Sequence, residues 1–435
     1  MTDRTYDAVP VPALDAYYDQ TRKEYLVQDN QNGWVSINET ALKRIMRQRG
    51  FDTRPRRGEL VSEVDTKIIE VQTRFNVQYA GPVAGYHTGL YDTPDARFLV
   101  TKSPTIVQAV PGPWDKLRGI LEGMVGTQQL VFLYGWLKCA RAALISRKFT
   151  PGQALAIAGP KDSGKSLFQN LITPALGGRV ARPYQFMSGQ TPFNAHLFGA
   201  EHLMIEDESP LTDHKARRAL GAMVKSITVN VDQSCHRKGA TPIMLRPFWR
   251  LTMTLNDEPE NLMVLPPMDE SIEDKLILLK ADKCPMPMPT ATPEERAEFW
   301  RVLLEELPGF LAHVETFVIP PTLVSQRFGI AHYHHPELLA RLDDLAPESK
   351  LLGIIDGHIR QDGQAWAGRS ADLERLITSV HAPYRDEARR LLSWTNACGT
   401  YLGRLRRRYP DRITCRQVGD ERERIWTIQP PWGTP

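Results

Sequence analysis

The chain has 435 residues, with 54 Lys and Arg against 51 Asp and Glu and 42% hydrophobic residues, enough apolar material for two or three domains and too much for a disordered tail protein. Apolar runs such as Gln128 to Leu137 are short, and the first thirty residues mix Asp, Arg, Tyr and Pro, so neither a membrane span nor a signal peptide is expected. The five cysteines (Cys139, Cys235, Cys284, Cys398, Cys415) are odd in number and scattered, which argues against a disulfide framework or a structural zinc site and fits a reducing cytoplasm.

Three regions follow from punctuation and periodicity: 1–112, 113–320 and 321–435. In the first, Glu24 to Val27 and Trp34 to Ile37 read as short strands, and Asn38 caps a helix that runs to Gly50. A second helix covers Ser62 to Arg74, with Val64, Ile68, Val71 and Phe75 on one face. A stretch rich in Gly, Pro and Thr, Gly81 to Pro113, closes this small α+β module, which is expected to bind DNA or a partner. The middle region opens with an apolar helix, Gln128 to Ile145, and then alternates β-rich runs (Ala154 to Ala158, His202 to Ile205, Trp249 to Leu255) with helical ones (Ser166 to Leu176, Lys215 to Ser226). That alternation predicts an α/β domain around a mostly parallel sheet. The proline-rich Pro285 to Pro293 is a linker before helical segments from Glu294 to Leu307 and on to Phe317. In the last region Ser370 caps a helix to Thr378, and further helices cover Tyr384 to Leu392 and Asn396 to Arg408. A hairpin of Ile413 to Val418 and Arg424 to Ile428 around Gly419-Asp420 completes a winged-helix-like layout.

The strongest chemical signal is Gly159-Pro160-Lys161-Asp162-Ser163-Gly164-Lys165-Ser166, which fits G-x-x-x-x-G-K-[ST]. A β-type run enters it and a helix leaves it, so backbone amides and a helix N-terminus converge on one anion. Lys165 is assigned to the β- and γ-phosphates of ATP and the Ser166 hydroxyl to Mg²⁺. Such a loop needs an acidic partner at a neighbouring strand end, and Leu203-Met204-Ile205-Glu206-Asp207-Glu208 supplies one. Three consecutive carboxylates leave the register open: Asp207 is assigned to Mg²⁺, and Glu208 or Glu206 to the base. A third β-rich run, Arg250 to Leu255, ends in Asn256, whose amide is suited to orienting the attacking water.

The order and compact spacing of these segments resemble the superfamily 3 helicases, AAA+ ATPases that serve as replicative motors of small viruses, phages and plasmids, in particular the phage and plasmid primase-helicase branch. The likeness runs over about residues 120 to 320: Gly159 to Ser166 match the first motif, Leu203 to Asp207 the second and Leu251 to Asn256 the third. It implies an AAA+-type core, a homo-hexameric ring, and Mg²⁺-ATP hydrolysis coupled to movement along single-stranded or forked DNA. It also implies a basic channel hairpin between the second and third motifs, here Ile227 to Arg246, with His236, Arg237 and Lys238 beside Gly239 as the DNA contacts. Where that family carries a trans-acting arginine this chain has Lys275; Arg246, Arg250 and Arg217 are the substitutes.

Two basic clusters lie outside the core. Seven basic residues fall between Lys43 and Arg57, where a solvated helix face and nucleic-acid contact are both open readings. Arg404, Arg406, Arg407, Arg408, Arg412 and Arg416 fall on the last helix and the hairpin, positions that meet DNA in a winged helix. His332-Tyr333-His334-His335 reads as a polar loop, because no carboxylate or cysteine stands at ligand spacing from it. The expected function is a DNA helicase for phage or plasmid replication, with a separate primase or polymerase as a further partner. The competing readings are an AAA+ initiator without processive unwinding and a protein-remodelling or defence ATPase.

Overall fold

The computed structural model describes residues 16–29, 33–206, 208, 214–268, 270–344, 346–359, 364–418 and 423–431. It divides between His335 and Pro336 into two units. The first unit opens with strands β1 (Ala16–Asp19), β2 (Glu24–Gln28) and β3 (Trp34–Ile37) and helices α1 (Glu39–Gln48) and α2 (Glu63–Arg74). Asn38 caps α1 by accepting from the Ala41 amide, and Ser62 caps α2 by accepting from Asp65. Val64, Ile68 and Val71 of α2 are buried against Tyr25, Leu42 and Met46, the face their spacing predicts. Strand β4 (Asn76–Val77) joins β1 in parallel, giving the order β3-β2-β1-β4. Strand β5 (Tyr79–Gly81) forms a second small sheet with β6 (Gly89–Asp92) and β7 (Arg97–Val100), both of which lie in the Gly/Pro/Thr-rich stretch.

Helix α3 (Asp115–Ser146) is longer at its start than its apolar run predicts and breaks at Gly126, whose φ of 69° lies in the left-handed region. Being apolar all round, it is buried on most faces. Its Arg141, 1% exposed, donates twice to Glu315 Oε1, at 2.8 and 2.6 Å, and to the Ala175 and Val107 carbonyls, so its buried charge is paired and hydrogen-bonded.

The core is a five-stranded, wholly parallel sheet built from β8 (Ala154–Gly159), β9 (Val180–Ala181), β10 (His202–Glu206), β13 (Arg250–Asn256) and β14 (Leu276–Lys280) in the order β14-β8-β13-β10-β9. Helix α4 (Lys165–Ala175) follows β8, and α5 (Tyr184–Met187) precedes β10. Helix α6 (His214–Val229) then leads to a hairpin of β11 (Gln233–Cys235) and β12 (Ile243–Leu245), and α7 (Pro259–Leu262) follows β13. Helix α8 (Pro293–Thr316) starts with a Thr292/Glu295 capping box and runs unbroken through Pro308, a single element where the sequence suggests two. The open edge of β14 is covered rather than exposed. Gln129 of α3 exchanges bonds with both backbone groups of Lys280, and residues 333–335 bond Leu278 from the other end, through Tyr333 O and His335 N. That pairing draws 321–335 into the first unit, so the division of the chain falls later than residue 320.

The second unit contains α9 (Pro336–Asp344), α10 (Pro347–Ile359), β15 (Trp366–Gly368), α11 (Ser370–Ile377), α12 (Arg385–Leu391), α13 (Ala397–Arg408), β16 (Ile413–Val418) and β17 (Glu423–Ile428). Its antiparallel sheet has the order β15-β17-β16. Ser370 is the first helical residue of α11 and Arg369 its cap, a shift of one position from the sequence expectation. The turn at Gly419-Asp420 lies outside the described residues. Leu351, Ile355, Leu373, Tyr401, Leu402, Leu405 and Trp426 form one apolar core. No described helix is long and apolar enough to cross a membrane.

Candidate nucleotide-binding site

Strand β8 is buried at every position, and Gly159 ends it where a side chain cannot fit: an added Cβ would meet the Ala281 carbonyl oxygen at 2.2 Å. The chain then turns through Asp162, at φ 63°, and Gly164, at φ 85°, before α4 begins at Lys165. Because β8, β13 and β10 are parallel and in register (Gly159 opposite Asn256, Thr254 opposite Glu206), the phosphate loop, Asn256 and the acidic strand end meet at one edge of the sheet. They enclose a cleft of about 510 Å³ lined by residues 161–167 together with Glu208, Thr254, Asn256 and Asn261.

Lys165 is 7% exposed and points into the loop, donating to the carbonyls of Gly159 (2.9 Å) and Pro160 (2.7 Å) and to Ser163 Oγ (3.2 Å). Ser166 lines the cleft. Glu206 ion-pairs with Arg182 at 3.1 Å, and Asp207 lies outside the described residues. Glu208 borders the cleft, where burial raises its carboxyl above the usual range and Arg182 opposes the shift. Of the two candidate bases, the raised proton affinity and the cleft position belong to Glu208. The donors fit a Mg²⁺-bound polyphosphate: a lysine, helix amides, one hydroxyl and a carboxylate around an open cleft.

Behind the cleft, Gln169 of α4 is fully buried and donates to Ile205 O (3.1 Å) and Thr252 Oγ1 (2.9 Å) while accepting from Thr254 (2.9 Å). It ties the phosphate helix to β10 and β13 at once. Neither Gln169 nor Asn261 carries a sequence signal beyond lying near a motif.

Lys275 lies at the opposite end of β14, is 5% exposed and ion-pairs with the neighbouring Asp274. Of the substitutes, Arg217 and Arg250 are buried and donate to backbone carbonyls, and Arg246 forks onto Asp232 at the hairpin base. The hairpin loop carries His236, whose ring packs on Phe193. Its Arg237 lies 3.5 Å from Asp19 Oδ2 and over the Tyr79 ring, and Lys238 is exposed. In the second unit Arg404 pairs with Glu348, Arg408 with Asp343 and Arg412 with Asp356; Arg406, Arg407, Arg408 and Arg416 are all exposed.

A family described as "Family of unknown function (DUF5906)" matches residues 157–271, the span from the phosphate loop past Asn256. No curated protein matches the chain. Two apo structures of the C-terminal region of NrS-1 share its fold, each at TM-score 0.53 with 96% of both chains covered, at 11% and 13% identity. A structure described as the active helicase of SCCmec type IV Cch aligns at TM-score 0.30 and 9% identity over 94% of this chain and 75% of that one, too low to bear on the assignment. The fold is therefore that of the NrS-1 C-terminal region along almost the whole chain.

Proposed function

We propose that the chain is a Mg²⁺-ATP-driven DNA motor of the superfamily 3 helicase type, working as a ring. The observation that carries this reading is the cleft: phosphate loop, carboxylate and Asn256 on adjacent parallel strands, with a basic-tipped hairpin inserted between the second and third of them. Lys165 exchanges its loop carbonyls for phosphate oxygens, and the amides at the start of α4 add to the same charge. Ser166 and Asp207 would hold Mg²⁺, which when bound neutralises charge on the β- and γ-phosphates. Glu208 takes the proton of the attacking water, a role its raised proton affinity suits, while the Asn256 amide orients that water. Lys238 at the hairpin tip is the exposed phosphate contact. The second unit would add a duplex contact in the manner of a winged helix, with α13 as the helix that faces DNA, a reading supported by the small antiparallel β15-β17-β16 sheet, whose β16 and β17 follow it.

Lys165→Ala is expected to abolish both ATP hydrolysis and strand separation. Lys238→Ala is expected to keep basal hydrolysis and lose unwinding of forked DNA. Equal loss of hydrolysis in both would refute the division of labour. A second reading, an initiator that assembles on DNA without processive unwinding, draws on Arg237: it is held by Asp19 instead of being presented at the tip. DNA-stimulated hydrolysis with no strand released would favour it.

A further inference from the structure

The His-Tyr-His-His segment is not a free loop. Residues 333–335 lie against β14 in parallel, with Leu278 N bonded to Tyr333 O (2.7 Å) and His335 N to Leu278 O (2.9 Å). Extended chain alternates its side chains. Tyr333 faces inward and stacks on Phe132 at 4.5 Å, so His332 and His334 share the other side, their rings 5.2 Å apart. The same pairing delivers a carboxylate absent from the local sequence. Glu273, in the turn that leads into β14, comes within 4.0 Å of His332 Nε2, and one ligand atom from each of Glu273, His332 and His334 lies within 4.8 Å of the others.

We infer that Glu273, His332 and His334 form a binding site for a borderline transition-metal ion, Zn²⁺ by preference, with an open coordination position. Two imidazoles and one carboxylate are a nitrogen-rich set that suits Zn²⁺ and disfavours Mg²⁺ or Ca²⁺. Bond lengths of about 2.0–2.2 Å require the ligand atoms to draw in by roughly an ångström. Glu273 and His332 are exposed, while His334 is anchored, its Nε2 lying 3.1 Å from the Leu276 carbonyl. A carbonyl on a ring nitrogen fixes the orientation of a ligating histidine. The site is separate from the phosphate cleft. Leu276 pairs with Ala154 at the start of β8, and the five residues from there to Gly159 span about 16 Å at 3.3 Å each. Its effect is to clip the entry of β14 to the segment that covers its edge.

The full chain, stripped with chelator and desalted, is titrated calorimetrically with Zn²⁺ and optically with Co²⁺. One equivalent is expected to bind, with a visible Co²⁺ absorption that Zn²⁺ abolishes, and Zn²⁺ should raise the melting temperature. Glu273→Gln and His332→Ala, both at exposed positions, should leave the metal-free melting temperature unchanged and weaken binding by about tenfold or more each. Absence of binding, or binding of equal strength and stoichiometry in the His332→Ala, Glu273→Gln double variant, would overturn the site and mark any bound ion as adventitious.

Discussion

His202, at the start of β10, is fully buried, and its protonation links stability to pH. Its Nε2 is 2.7 Å from Thr252 Oγ1 and its Nδ1 2.8 Å from Thr173 Oγ1. Thr252 already receives the Gln169 amide, so its single proton goes to His202 Nε2, which assigns the ring proton to Nδ1 and the Thr173 side. A second ring proton would face the Thr252 hydroxyl and leave that hydroxyl's hydrogen without an acceptor. Burial accordingly pushes the His202 pKa from 6.5 down to about 3. Because the folded value is depressed, the unfolded chain binds the proton first. The contribution is complete above pH 6.5 and is lost as pH falls toward 3, at about 1.4 kcal/mol per unit. From pH 6.5 to 5 the loss is on the order of 2 kcal/mol. Urea unfolding followed by tryptophan fluorescence, at steps from pH 7.5 to 5, measures it in wild type and in His202→Gln. His87, His313 and His334, also depressed by burial, steepen both curves, so the difference between the two proteins is the diagnostic. His202→Gln should be the less stable protein at pH 7.5 and should lose about 2 kcal/mol less on acidification to pH 5. Parallel curves would refute the reasoning.

Gly159→Ala places a methyl group against the Ala281 carbonyl at 2.2 Å, so nucleotide binding, read by fluorescent-analogue titration, should fall at least tenfold together with the melting temperature. In the second unit, Arg412→Ala removes the ion pair to Asp356 and a bond to Gln429 O from a side chain 12% exposed. It should cost about 1–3 kcal/mol in thermal unfolding. The Arg406→Ala, Arg416→Ala double variant should melt as wild type does and should flatten the salt dependence of duplex binding by roughly two counterions. Asp19→Asn keeps the acceptor used by the Thr21 and Arg22 amides and deletes the charge facing Arg237. Single-stranded DNA binding should tighten several-fold by anisotropy, and unchanged affinity would show that the latch does not restrain the hairpin.

What was legible in the sequence is what adjacent residues decide. The phosphate loop is a contiguous octapeptide whose glycines answer to local geometry. The buried face of α2 follows from spacing within one helix, and the cap at Asn38 follows from a side chain reaching three residues along, whereas Ser62 and Thr292 emerge as caps only in the structure. The strands β1, β4, β5 and β15, of two to four residues each, are set by the neighbours they pair with and not by a pattern of their own. The break in α3 was hidden for the opposite reason: a glycine inside an apolar helical pattern is tolerated, and only the backbone shows that Gly126 leaves the helix.

The basic residues show the limit most sharply, since a charge run in a sequence says nothing of its partners. Arg404, Arg408 and Arg412 look equivalent to Arg406 and Arg416, yet each meets an acid between Asp343 and Asp356, more than fifty positions earlier in the chain. Arg237 is the clearest case. Its nearest anion, Asp19, belongs to the first described strand, and neither Asp19 Oδ2 nor Arg237 Nη1 has a hydrogen-bond partner among the described residues. Pulling the arginine away would leave a buried carboxylate without its charge partner, a cost of several kcal/mol unless water or another cation replaces it. A hairpin that grips DNA through Arg237 must therefore either offset that loss with phosphate contacts or keep Arg237 docked and work through Lys238. The second route predicts that the tip lysine, not the arginine, sets the salt dependence of single-strand binding.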